Sequence, residues 1–252
     1  MKKLMIYGAA GYTGGMAAEH AAAAGLALVV AGREKDRSKL AELAERLGAE
    51  VCIFSLDEPA DTKEGLLGVS VVLNAAGPFM NTAEPLMSAA IRIGVHYLDF
   101  SAELDTYREA LALDGQAPAA GVMLLPGSGG SVAMLGSLAS HAVARVEDPQ
   151  KIRRRSAEDP QKISVALHVS GSMSRGSVTS ARQGMVTEML HLVDGELVSR
   201  DPGEVREFDF GRGPQSSFPV TLPDLLTNCH TTGVKNIDTY VHVSAGVFPR
   251  ES

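Results

Sequence analysis

Gly8, Gly11 and Gly14 stand three apart in MIYGAAGYTGG (5–15), directly after a short apolar run. Between a strand and a helix, glycines at this spacing suit the pyrophosphate of a dinucleotide. The first allows a tight turn, the second a close approach of backbone to phosphate, and the third close packing of helix on strand. Amides around Gly11–Gly14 and the helix dipole then favour an anion. The other reading is a tight turn with no ligand. The residue ending the second strand selects the dinucleotide, and here the chain reads AGRE, with Arg33 followed by Glu34. A guanidinium offers a planar fork to a 2′-phosphate, so NADP is expected rather than NAD. Glu34 turned inward would repel that phosphate, and Arg33 also reads as a plain surface charge. Asp57 closes the third apolar run, where it could reach an adenine or cap a loop. Asn74, Ala75, Ala76, Gly77 and Pro78 follow the fourth run. Small residues there would let a nicotinamide and ribose lie against the backbone, or would simply make a close turn.

Hydride transfer asks the protein for orientation and a proton donor. Tyr97, Asp99 and Glu103 follow the fifth apolar run and are candidates, with Tyr97 and Asp99 the catalytic pair expected here. Each has a structural alternative: a core tyrosine, a turn cap and a helix start. Ser172, Ser174 and Arg175 could bind an anionic or carbonyl substrate group, or cap a following helix. Other chemistries fail on residue type. No tyrosine is followed four residues later by lysine, as a short-chain dehydrogenase needs, and there is no G-x-S-x-G elbow. The seven histidines show no H-E-x-x-H or paired spacing, so no metal is expected. Cys52 and Cys229 are too few for a disulfide framework.

The elements that must position these residues alternate regularly. Strands are expected over 2–8, 26–32, 51–57, 69–77, 96–101 and 122–127, with helices over 15–25, 36–48, 59–68, 82–94 and 104–121. The strands are apolar on both faces, which implies a parallel sheet covered by helices on both sides, a doubly wound α/β domain. After Gly127 the pattern changes. A glycine-rich loop leads into a helix to 146, then a charged stretch carries EDPQKI twice, at 147–152 and 158–163. Strands are expected over 163–171, 194–198, 204–211 and 236–246, and a helix over 174–193. The second half thus reads as an α+β domain with an open mixed or antiparallel sheet. The boundary falls near 125–130, giving domains 1–126 and 127–252.

The chain has 252 residues, 45% of them hydrophobic, and a net charge of -7. A basic footprint for nucleic acid is missing, and Arg153–Arg155 read as a solvated face. No apolar stretch approaches the roughly 20 residues of a membrane span. The opening MKKLMIYGAAG reads as a first strand rather than a signal peptide. A cytoplasmic protein is expected, with a small-molecule substrate, no nucleic-acid or membrane partner, and a homodimer through the edge of the second sheet as one possibility.

From about residue 3 to 248 the motifs YGAAGYTGG, AGRE, LNAAGPF, GVHYLDFSAE, GVMLLPG, SGSMSRGS and NIDTYVHVS resemble the saccharopine dehydrogenase-like oxidoreductases, which include saccharopine reductases and bacterial trans-acting enoyl reductases. The resemblance implies a Rossmann domain for NAD(P), a second α/β domain and a substrate cleft. It carries over Gly8, Gly11, Tyr12, Thr13, Gly14 and Arg33 as cofactor contacts and Asn74 to Pro78 as the nicotinamide-side loop. Three departures stand out. The loop PGSGGSVAML (126–135) lacks the usual aspartate, EDPQKI is duplicated, and the chain stops at Ser252 where family members commonly continue. The second domain is therefore read as a fragment or a naturally short form. An NADP-dependent oxidoreductase acting on a small carbonyl, imine or enoyl compound is expected. The alternative is a non-catalytic NADP-binding sensor or scaffold.

Overall fold

The apolar run that precedes the glycines, β1 (Lys3–Tyr7), lies inside a six-stranded sheet of the computed structural model, which describes residues 2–146, 161–170 and 188–244. Two compact units divide the chain, Met1–Gly129 and Gly130–Ser252. In the first, β1 is followed by α1 (Tyr12–Ala23), β2 (Ala27–Gly32), α2 (Arg37–Leu47), β3 (Glu50–Ile53), α3 (Pro59–Gly65), β4 (Val71–Asn74), α4 (Ala83–Ile93), β5 (His96–Asp99), α5 (Leu104–Ala112), α6 (Gln116–Ala119) and β6 (Leu124–Leu125). The order across the sheet is β3-β2-β1-β4-β5-β6, and every neighbouring pair is parallel.

Alternation along β1 explains the two-sided burial. Met5 and Tyr7 enter one core with Val29, Ala31, Val72, Tyr97 and the α4 residues Leu86 and Met87. Ile6 enters the other with Val30, Ala18 of α1 and Leu40 and Leu43 of α2. Residues that would face solvent in a one-sided sheet are apolar here because both faces are covered. Gly48 and Gly94 end α2 and α4 in the left-handed conformation, with φ of 65° and 76°, where a side chain would be strained. The chain winds one way from β1 to β3 and the other from β4 to β6. The carboxyl ends of β1 and β4 therefore border the switch-point crevice where open α/β sheets bind ligands.

The second unit contains α7 (Gly130–Val146), β7 (Ile163–Val169), β8 (Leu190–Val193), β9 (Glu196–Ser199), β10 (Arg206–Asp209), β11 (Pro214–Pro219), α8 (Asp224–Thr232) and β12 (Ile237–Val243). The sheet is mixed. β12 pairs in parallel with β7 along its whole length, and antiparallel with β8 at Ile237 and with β11 at Tyr240–Val241. Leu225 of α8 packs on Leu192 and Ile237, and α7 lies against α8.

Several boundaries differ from the sequence reading. The helix expected over 174–193 is corrected at its end: 190–193 is β8, closed onto β9 through Asp194 and Gly195, both at positive φ. That two-residue Asp-Gly turn is a strong hairpin signal; residues 188–189 are not helical either, and 174–187 lie outside the described residues. β3 stops at Ile53 rather than Asp57, being an edge strand paired only with β2. α1 starts at Tyr12 rather than Gly15, and 104–121 splits into α5 and α6. β11 and α8 were not expected.

Candidate functional site

Each glycine of the first turn has a different job. Gly8 has φ of 86° and donates its N–H to Ala31 O of β2 at 2.8 Å. A Cβ there would stand 2.8 Å from Ala76 N beyond β4, so the glycine lets the ends of three strands converge. Gly14 is buried in α1, and a Cβ on it would come within 2.3 Å of Gly8 O. Gly11 is exposed and caps α1 without a side chain, its carbonyl accepting the Gly15 N–H at 2.8 Å. Amides of a first helical turn lack an acceptor one turn back. Those of Tyr12, Thr13 and Gly14 are therefore offered to an acceptor outside the helix, at the positive end of its dipole. Tyr12 itself is 75% exposed.

Arg33 follows β2 and is exposed, and no ion pair engages it among the described residues. Glu34 is turned away onto Arg37, whose Nε and Nη2 donate to its two oxygens at 2.7 Å each. That hydrogen bond holds the Glu34 carboxyl below its ordinary range. Sequence reasoning missed this fork, although the i, i+3 spacing of Glu34 and Arg37 carried it. The Tyr7 hydroxyl lies beneath, donating to Phe54 O at 3.3 Å. Burial pushes its pKa up to about 12, with Arg33 acting the other way and Asp57 and Asp36 adding to the rise. Arg33, Tyr7 and Asp57 thus share one neighbourhood. Asp57 itself accepts from Ser55 Oγ and donates its N–H back to that oxygen at 3.2 Å, which is the loop-capping arrangement. A cleft of about 410 Å³ opens between Ala9–Gly11 and the α2 residues Lys39 and Leu43.

Asn74 is fully buried at the end of β4. Its Nδ2 donates to Thr82 Oγ1 at 3.0 Å and Tyr97 OH at 3.1 Å, while its Oδ1 accepts the Ala76 N–H at 3.0 Å. The Thr82 hydroxyl donates to Ala76 O at 2.7 Å, and the Gly77–Pro78 peptide is cis. The loop 75–78 is held from below by these bonds. Ala75, Ala76 and Pro78 are half-buried and Gly77 is exposed.

Tyr97 and Asp99 belong to the same network, and neither has exposed surface. The Tyr97 hydroxyl donates to Asp99 Oδ2 at 2.7 Å. Asp99 Oδ1 accepts the N–H of Ser101 at 2.8 Å and of Gly127 at 2.7 Å. Burial pushes both groups up, Tyr97 far above its ordinary value and Asp99 less, since the Gly127 and Ser101 amides favour its charged form. A proton donor must come within hydrogen-bond reach of its substrate. In this structure the polar atoms of these two hold β4, β5 and the start of the 127–128 segment together. Gly127, with φ of 62°, is required here because a Cβ would overlap the Tyr107 hydroxyl. Glu103 precedes α5 and accepts the N–H groups of Phe79 at 3.2 Å and Met80 at 2.8 Å, fixing the far side of the same loop. Ser172, Ser174 and Arg175 lie outside the described residues. Among the described residues no His, Cys, Asp and Glu group suits a metal, and no helix is long and apolar enough to cross a membrane.

This arrangement fits a dinucleotide: a glycine turn in which a Cβ on Gly8 or Gly14 would clash with backbone, free first-turn amides, and a guanidinium at the end of the adjacent strand that no ion pair engages among the described residues. The comparisons agree. Residues 4–125 match the family model of the saccharopine dehydrogenase NADP binding domain. A trans-acting enoyl reductase of Mycobacterium leprae is 30% identical over 131 residues, covering 48% of this chain and 31% of that protein. A lipid droplet localized protein of Caenorhabditis elegans is 30% identical over 111 residues, covering 40% of this chain and 26% of that protein. The chain therefore matches about a third or less of the length of these curated relatives. Apo saccharopine dehydrogenase (L-Glu forming) from Saccharomyces cerevisiae superposes on 96% of this chain and 55% of its own, with a TM-score of 0.60 at 13% identity. That likeness is one of fold, a parallel doubly wound sheet followed by a second sheet.

Proposed function

We propose, on the match of residues 4–125 to the family model of the saccharopine dehydrogenase NADP binding domain, that the chain is an NADP-dependent oxidoreductase acting on a small carbonyl, imine or enoyl compound. The observation that carries this reading is the unpaired Arg33 at the end of β2, with Glu34 drawn off by Arg37. In this reading the Tyr12–Gly14 amides hold the pyrophosphate and Arg33 holds the 2′-phosphate, while the Gly11 N–H closes the turn onto Gly8 O. The loop 74–78 receives the nicotinamide side. Bound NADP supplies or accepts a hydride. Tyr97 and Asp99 are positioning residues, since their polar atoms are committed to shaping that loop. Purified chain should oxidise NADPH with some member of a panel of carbonyl, imine and enoyl compounds. Binding of NADPH without any oxidation across the panel would contradict it.

The burial of Tyr97 and Asp99 favours one alternative, an NADP-binding sensor or scaffold that does no chemistry. A sensor must distinguish the oxidised from the reduced cofactor. Equal affinity for NADP and NADPH, in a chain that stays monomeric, would remove that alternative.

A further inference from the structure

One face of the second sheet carries an unusual collection of charge. Asp238, Tyr240 and His242 alternate along β12 onto the face opposite Ile237, which packs under α8. Asp238 is only 2% exposed. Its Oδ2 lies 2.6 Å from Lys162 Nζ and 3.6 Å from Arg206 Nη1; its Oδ1 lies 3.2 Å from His191 Nδ1 and 3.9 Å from Arg200 Nη1. Glu204 shares Arg200, accepting from Nη2 at 2.8 Å, and the same nitrogen reaches Tyr240 OH at 2.9 Å. Three permanent cations thus face two carboxylates.

The Arg200 side chain is 2% exposed, yet among the described residues its Nε and Nη1 have no hydrogen-bond partner. Buried donors without an acceptor are rare and call for a missing partner. Lys162 and Arg206, about half exposed, stand at the mouth of the cluster. We propose that this cluster is an oxyanion site. A carboxylate or phosphate group bridges Lys162 and Arg206 at the surface and supplies the charge that two carboxylates leave unbalanced over Arg200. Guanidinium and ammonium groups together on a half-buried floor recognise such a group through charge-assisted hydrogen bonds. The site is built from β7, β10, β12 and the strand ends beside them, all in the second unit, and does not rest on the cofactor reading.

Calorimetric titration of the full chain with inorganic phosphate, and separately with acetate, at constant ionic strength tests this. Saturable binding of at least one anion is expected. Affinity should fall at least tenfold in Lys162→Ala and in Arg206→Ala, whose half-exposed side chains can be shortened without opening the core. Glu204→Gln, which removes an exposed competing carboxylate, should tighten binding. Arg33→Ala should leave it unchanged, which separates this site from the glycine turn. The proposal is overturned if neither anion binds saturably, if both alanine variants bind as well as the parent, or if Arg33→Ala abolishes the signal.

Discussion

At the scale of single residues the glycine turn makes a sharp distinction between neighbours. A methyl group on Gly14 would meet Gly8 O at 2.3 Å, whereas one on Gly15 would sit 3.5 Å from Ala9 O, an ordinary contact. Gly14→Ala is therefore expected to lower stability by about 1–3 kcal/mol through overpacking. Gly15→Ala should be neutral or stabilising, since alanine is the better helix former by roughly 1 kcal/mol. Equal denaturation midpoints for the two variants would contradict this assignment. The pairing of Glu34 with Arg37 leads to a second expectation. An acidic side chain at the end of the second strand serves a ribose hydroxyl, and Arg37 keeps Glu34 from that role. In Arg37→Ala the preference for NADPH over NADH should shrink several-fold, read by titrating both cofactors. An unchanged ratio would mean the fork plays no part in selection. The glycines and Arg33 were legible because their types are required by the chemistry. The orientation of Glu34 was not, because the i, i+3 spacing to Arg37 permits the pair while Arg33 and Lys35 stand beside Glu34 as competing cations.

At the scale of elements, the strands of the first unit were legible as short apolar runs between helical patterns, since a sheet covered on both faces admits little else. The second sheet was harder. β11 is PQSSFP, with polar residues and a proline at each end, and it is a strand because β10 and β12 pair with it. α8 follows Pro223 and turns the polar residues Asp224 and Asn228 inward, which hides its amphipathic signature. Asp224 Oδ1, Thr227 Oγ1 and both amide atoms of Asn228 are buried with no hydrogen-bond partner among the described residues. Burial raises the Asp224 pKa to about 6. The folded state then keeps a proton that the unfolded chain releases from about pH 4 upward. This contribution is fully present below about pH 4 and is lost as pH rises through about 6. Asp224→Asn should therefore be more stable than the parent at pH 8, with the difference vanishing near pH 4. A gap of the same size at both pH values would refute the assignment. The β4–β5 network makes a similar test. Tyr97→Phe leaves Asp99 Oδ2 and Asn74 Nδ2 each short of a buried partner. It should cost about 1–3 kcal/mol in denaturant unfolding, and an unaltered midpoint would show that the network does not hold the loop.

At the scale of the whole molecule, two units carry separate chemical provisions. The first has a glycine turn with free helix amides, and at the end of the adjacent strand Arg33, which no ion pair engages among the described residues. The second has a cationic cluster over Asp238 on one face of its mixed sheet. The first provision was readable because strand, glycine turn, helix and following strand lie within 33 consecutive residues. The second was not, because it assembles residues between 162 and 240 whose proximity depends on the pairing of β12 with β7, β8 and β11. The central claim is that Arg33 selects a phosphorylated dinucleotide bound on the glycine turn. Calorimetric titration of the purified chain with NADPH and NADH, in the parent and in Arg33→Ala, tests it most directly. Tight NADPH binding, weak NADH binding and the collapse of that difference in Arg33→Ala are the expected result. Equal affinity for both cofactors in the parent, or an undiminished NADPH preference in the variant, would contradict it.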